Sequence, residues 1–334
     1  NLIQYNISMK FITIWALLPI LIFNTPQISA EYKNTNGKPI EKSFRDLLDW
    51  STSDVDTKID FIELSNEWKD LILETDDNYA IWIGHSTFLI KKNGYTILTD
   101  PIFSERASPL KNIGPKRLIP PAIALNELPS IDYITVSHNH YDHLDIASLK
   151  ELYLINPETI FLVPAGDSKL LRRKGIKNVF EHEWWESYKI NDLEITFTPV
   201  QHWSKRGLFD RNKSLWGGWF FKFNDFSIYH AGDTGYSDDF KNTRLKLGSP
   251  KYAFIPIGAY DPEWFMAESH VNPEDAVQIM LDLGAEKSFG MHWATFKLTD
   301  EDTLEPKARL NEALKNKNIN NFAAPAPGKI IRFE

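Results

Sequence analysis

An apolar, strand-like run at residues 132–137 passes directly into His138-Asn139-His140-Tyr141-Asp142-His143, and this junction constrains the fold more than any other feature of the chain. Four of the six residues are metal-ligand types at His-x-His-x-Asp-His spacing, a pattern with a low rate of chance occurrence. Imidazole nitrogens combined with carboxylate oxygens suit zinc or another divalent transition metal, whereas magnesium and calcium favour oxygen alone. A tight loop cannot close several coordination spheres by itself. The fold must therefore return later segments to this loop. With no cysteine in the chain, thiolate ligands, disulfides and a cysteine nucleophile are excluded, so the added ligands must come from the 9 histidines and the carboxylates.

The pattern around the junction is that of a compact mixed domain. Residues 80–84, 87–91 and 95–100 are short, rich in Ile, Phe, Tyr and Trp, and broken by turns such as Asn93-Gly94, which predicts consecutive antiparallel strands. Residues 146–155 carry apolar side chains at helical spacing behind Asp145, a natural N-cap. The second half repeats this logic. Strands are predicted at 192–199, 219–224, 226–230 and 252–258, with Asn224-Asp225 as a hairpin turn. A helix starts at Asn272-Pro273-Glu274-Asp275 and stops at Gly284, and a last helix covers about 307–315. Strands followed by helices occur twice, which suits two packed sheets with helices outside, in one domain over residues 44–334.

Before that domain, residues 31–43 are polar, contain Gly37 and Pro39, and read as a linker. Residues 1–30 place Lys10 ahead of an apolar run at 11–23 and small residues at Ser29-Ala30, the pattern of a signal peptide and hence of a secreted or periplasmic protein. A membrane anchor is the competing reading, but the run is shorter than the ~20 residues a spanning helix needs. The net charge of −8 speaks against nucleic acid as a partner.

Further ligand candidates stand at predicted strand ends: His202 after 197–201, Asp233 in 230–234, and His292 after 289–291. With these, the chain resembles the metallo-β-lactamase superfamily of binuclear hydrolases, and more closely the N-acylphosphatidylethanolamine-hydrolysing phospholipase D family. The resemblance rests on GHST (84–87), TDPIFSERASP (99–109), GPKR (114–117), SHNHYDHLD (137–145), QHWSKR (201–206), AGDTGY (231–236), IPIGAYDPEWFM (255–266), HVNPEDAV (270–277) and MHWATF (291–296). These blocks stand in family order and cover about residues 80–315.

The resemblance implies an αββα sandwich of the α/β class and two zinc ions. One would be held by His138, His140 and His202, the other by Asp142, His143 and His292, with Asp233 bridging them. Asp100 matches an aspartate that orients a histidine ligand. His270 matches a histidine near the metals and precedes a helix N-terminus that favours phosphate, although packing or capping would also explain it. His85, between two strands, reads as a structural hydrogen-bonding residue.

Two ions about 3.5–4 Å apart can hold a hydroxide between them as nucleophile. The implied reaction is phospholipase D-type cleavage of N-acylphosphatidylethanolamine to N-acylethanolamine and phosphatidic acid. A dizinc lactonase or other ester hydrolase of the superfamily, and a non-catalytic metal-binding protein, are the competing readings. The expected partners are a phospholipid or other anionic ester, a membrane surface and a second copy of the chain as a homodimer. Lys111, Lys116 and Arg117, with Lys205, Arg206, Arg211 and Lys213, form two basic clusters that could attract an anionic headgroup.

Overall fold

The structure is a computed structural model that describes residues 31–52, 55–71 and 78–334. The segment expected as a signal peptide, residues 1–30, lies outside the described residues. Strands β1 (Tyr79–Gly84), β2 (Thr87–Lys92), β3 (Tyr95–Thr99), β4 (Tyr133–Thr135), β5 (Ile160–Pro164) and β6 (Val179–His182) follow one another across the first sheet. Strands β7 (Ser187–Ile190), β8 (Leu193–Thr198), β9 (Gly218–Lys222), β10 (Ser227–His230), β11 (Tyr252–Pro256), β12 (Lys287–Met291) and β13 (Phe322–Ala323) do the same across the second. The C-terminal β14 (Ile330–Arg332) returns to pair with β1.

Each sheet is mixed in the same way. The strands β1 to β3 are antiparallel and β3 to β6 parallel; β7 to β10 are antiparallel and β10 to β13 parallel. Short turns join β1 to β2, β2 to β3, β7 to β8 and β9 to β10, a long loop that carries His202 joins β8 to β9, and the parallel strands need crossovers, which supply the outer layers. The helices are α1 (Phe44–Thr52), α2 (Ile146–Ile155), α3 (Ser168–Arg173), α4 (Asp239–Leu247), α5 (Glu263–Met266), α6 (Pro273–Leu283) and α7 (Glu305–Lys317).

Alternation along β1 shows how the layers form. Ala80 and Trp82 join the core between the sheets, while Tyr79, Ile81 and Ile83 join a second cluster with Leu149 and Leu152 of α2 and Leu171 of α3. A strand covered on both faces has no polar side, which is why β1 reads as a continuous apolar run. On the other side α6 and α7 lay Ala276, Met280, Leu310 and Leu314 against the second sheet. The result is the expected αββα sandwich with two mixed sheets and helices outside.

The expected signals at helix ends recur as contacts. Asp145 accepts from the Ala147 N–H at the start of α2, and Asn272 accepts from the Asp275 N–H at the start of α6. Gly284 ends α6 in the left-handed conformation at φ 64°. The segment 31–43 departs from the linker reading. Asn34 is buried and its Oδ1 accepts from both the His202 N–H and the Trp216 indole at 3.0 Å, Thr35 donates to Asp239 at 2.7 Å, and Ile40 is buried. These residues look like a linker because they are polar, but their polarity is used inside the domain.

Trp219 on β9 has no exposed surface, packs 4.6 Å from the Phe197 ring, and donates from its indole to Val136 O at 2.9 Å, just before the histidine loop. Trp219→Ala should cost about 3–5 kcal/mol by cavity formation, with a further penalty for the unpaired carbonyl. Trp219→Phe, which keeps most of the volume, should lose less. Denaturant midpoints measure both; equal losses for the two would show that packing is not the dominant contribution.

Candidate metal centre

All seven ligand candidates come together along one edge of the sandwich, where β3, β4, β10 and β12 end. Strand β8 points to the same edge, because both it and β10 are antiparallel to β9. Open sheets with parallel strands characteristically present their sites beyond such carboxyl ends. The turn into Asp233 needs Gly232: its φ is 63°, and a Cβ there would lie 2.7 Å from Ser137 Cβ.

The donors form two groups. His138 Nε2 lies 2.8 Å from His140 Nδ1, which lies 3.3 Å from His202 Nε2. In the second group, Asp142 Oδ2 is 3.5 Å from His143 Nε2 and 3.4 Å from His292 Nε2. Asp233 stands between the groups: its Oδ2 is 3.0 Å from His143 Nε2, 3.1 Å from His292 Nε2 and 3.9 Å from His138 Nε2.

The residues fit metal ions by their unmet hydrogen-bonding capacity. His140 Nε2 and Asp233 Oδ1 are buried without a hydrogen-bond partner among the described residues, and His143 Nε2 and His292 Nε2 have only the carboxylates of the cluster beside them, in no well-formed hydrogen bond, a concentration that native interiors avoid unless something else occupies the donors. Outer contacts set the tautomers that turn lone pairs inward. His202 Nδ1 donates to Ser269 O at 3.0 Å, and His143 Nδ1 donates to Asp100 Oδ2 at 2.7 Å. Asp100 also accepts from the Ser137 N–H and hydroxyl, each at 2.6 Å, so one carboxylate fixes both the start of the loop and a ligand ring.

Electrostatics separates the groups. Burial, reinforced by the neighbouring rings, holds His138 and His202 well below the ordinary histidine value, and burial lowers His140 to about 4. These three are neutral imidazoles, the ligating form. Burial also opposes charge on His143 and His292, but the adjacent carboxylates prevail, raising His292 to about 9 and His143 well above its usual range. Burial likewise disfavours charge on Asp142 and Asp233, yet the adjoining histidines keep both ionised.

Three further residues belong to the site. His270 places Nδ1 3.8 Å from Asp233 Oδ2, without a hydrogen-bond partner, and burial lowers it to about 4. His85, read from sequence as structural, is buried with Nε2 3.0 Å from Asp142 Oδ2 and its ring 4.0 Å from that of His292. Arg206, one of the basic residues expected to attract an anionic headgroup, instead donates from Nη1 to Asn139 O at 2.9 Å and Leu144 O at 2.7 Å, bracing the loop from behind. Arg117 and Arg211 are also turned inward, onto the Ile102 and Ile40 carbonyls respectively. The other two of the 9 histidines, His182 and His230, lie outside the cluster; His230 Nε2 is engaged with Ser86 O.

Comparison with known proteins places this geometry. The Beta-lactamase superfamily domain matches residues 95–293. The N-acyl-phosphatidylethanolamine-hydrolyzing phospholipase D 1 of Caenorhabditis elegans is 41% identical over 247 residues, 71% of this chain and 69% of that protein. The mitochondrial protein of the same name from Saccharomyces cerevisiae is 41% identical over 239 residues, 70% of this chain and 51% of that one. A metallo hydrolase structure from Ignicoccus hospitalis superposes with a TM-score of 0.59 at 21% identity, covering 77% of this chain and 98% of that one, a likeness of fold.

Two outcomes test the centre. Removing metal with a chelator should lower Tm, and adding zinc back should restore it, because ions that bind only the folded state stabilise it by mass action. Asp100→Asn should weaken metal binding by about 10–100-fold, as loss of an outer partner of a ligand does. Elemental analysis after dialysis against graded zinc reads this directly; unchanged binding would remove Asp100 from the support of the centre.

Proposed function

The chain belongs to the metallo-β-lactamase superfamily, in its N-acylphosphatidylethanolamine-hydrolysing phospholipase D family, and from that membership we propose that it cleaves N-acylphosphatidylethanolamine to N-acylethanolamine and phosphatidic acid with two zinc ions. It is a metal-dependent hydrolase of that superfamily. The observation that supports the finer reading is the 41% identity to two proteins of that name across about 70% of the chain, beside the clustered histidines and aspartates of this chain's own site.

His138, His140 and His202 would hold one ion, Asp142, His143 and His292 the other, and Asp233 both. When bound, such ions supply a water activated near neutral pH and positive charge for the phosphoryl oxygens. In the hydrolysis, water oxygen bonds to phosphorus, the bond from phosphorus to the N-acylethanolamine oxygen breaks, and that oxygen takes up a proton. His270 is suited to the proton transfer: its Nδ1 faces Asp233 and has no competing hydrogen-bond partner. Its low pKa keeps it neutral, so it can relay a proton without burying a lasting charge. Asp100 keeps the His143 Nδ1 proton in place throughout. A serine or cysteine nucleophile is not required by this scheme.

Metal-replete protein incubated with N-acylphosphatidylethanolamine, phosphatidylethanolamine and a simple lactone should release N-acylethanolamine and phosphatidic acid, identified by mass spectrometry. Lactone opening without phospholipid turnover would overturn the assignment. Asp233→Asn should lower metal content and abolish turnover together; full activity in a metal-verified sample would take Asp233 out of the site.

A further inference from the structure

The loop that carries the metal donors has a second face, and that face borders a cleft of about 1090 Å³. None of the seven ligand candidates lines it. Its banks are the segments 104–112 and 206–214, and its floor includes Asn139 and Asp167. Both floor side chains are at least nine-tenths buried, and Asn139 donates to Asp167 Oδ1 at 3.1 Å. That leaves Asn139 Oδ1 buried without a hydrogen-bond partner among the described residues, and Asp167, which the Ser214 hydroxyl also approaches, keeps Oδ2 without one of good geometry. Such atoms are costly unless a ligand or water supplies donors.

The charges around the cleft point the same way. Asp145 is committed to the Ala147 and Ser104 N–H groups, and Asp210 to the N–H groups of Arg206 and Gly207. Of the cations in the lining, Arg106 and Arg206 are spent on backbone carbonyls, whereas Lys111, Lys150, Lys174 and Lys213 have no ion-pair partner among the described residues. Lysines left free around a concave, solvent-open cleft favour an anion such as phosphate. Glu105 is the remaining carboxylate of the lining and is exposed. Burial pushes Asp167 up to about 7, so near neutrality its free oxygen can serve either as acceptor or as donor.

We infer that this cleft is a second ligand site, separate from the metal centre, for a phosphate ester that also carries a free hydroxyl or amine. The lysines take the phosphate and the floor takes the hydroxyl or amine. The site goes beyond the proposed hydrolysis, yet it meets the same loop: Arg206, whose ring of contacts braces Asn139 and Leu144, also lines the cleft.

Calorimetric titration of the metal-loaded protein with sn-glycerol 3-phosphate and O-phosphoethanolamine tests it, with inorganic phosphate as the anion that lacks the extra donor. Lys150 and Lys174 are exposed, so Lys150→Glu with Lys174→Glu should leave fold and zinc content intact while weakening both esters at least tenfold. Inorganic phosphate should bind this cleft more weakly than either ester. Equal ester affinity in the wild type and the double variant would place the anion at the metals and overturn the proposal, as would no binding to the wild type. Sedimentation with phosphatidylglycerol vesicles identifies the source: binding lost in the double variant assigns a lipid headgroup, and no vesicle binding with retained ester binding assigns a soluble ester. The readout is binding rather than turnover, so its failure leaves the hydrolase assignment standing.

Discussion

Converging the lone pairs of buried imidazoles and carboxylates is unfavourable for a protein on its own, and the architecture of this chain is organised around holding such a cluster in place. No single strand could do so. His138, His140, Asp142 and His143 come from one loop after β4, but His202, Asp233 and His292 arrive from three strand ends of the opposite sheet. The two sheets must therefore close on each other with little freedom at one edge. Trp219, reaching from β9 to the Val136 carbonyl, and Gly232, pressed against Ser137, are where that closure is fixed.

Support for the cluster comes from backbone groups as much as from side chains. Asp100 joins the end of β3 to Ser137 and His143; Ser269 O orients His202; the His85 carbonyl accepts from the His292 N–H at 3.0 Å. The Asp100 and Ser269 contacts hold the His143 and His202 rings through Nδ1, and the His85 carbonyl holds the backbone from which His292 projects.

Much of this was legible in sequence because it is local. The six-residue loop, the Asn93-Gly94 hairpin, the Asp145 and Asn272 caps and the Gly284 stop are each signalled by neighbours in the chain, and each stands within a residue or two of its expected place. What escaped is non-local or weakly patterned. Strand β6 exposes its two central residues and β7 is nowhere fully buried, so neither alternates clearly, and α4 is too polar for a strong apolar stripe. Asn34 looked like linker because polarity in a sequence does not say which backbone it will pair with. Arg206 and Arg117 looked like surface charge for the same reason: a guanidinium that satisfies interior carbonyls has the same sequence signature as one in solvent.

The histidine loop also explains why charge near it cannot be read as one patch. Successive residues face opposite ways: His138 and His140 turn to the metal donors, while Asn139 and Tyr141 turn to the cleft and to Arg206, whose guanidinium lies 4.0 Å over the Tyr141 ring. The loop is thus a wall between two polar compartments with different demands. On one side, acceptors converge and call for a cation. On the other, unpaired lysines and the free oxygens of Asn139 and Asp167 call for an anion that brings its own hydrogen-bonding groups. Arg206 belongs to both sides: it lines the cleft and donates to the carbonyls of the loop that carries the ligand residues.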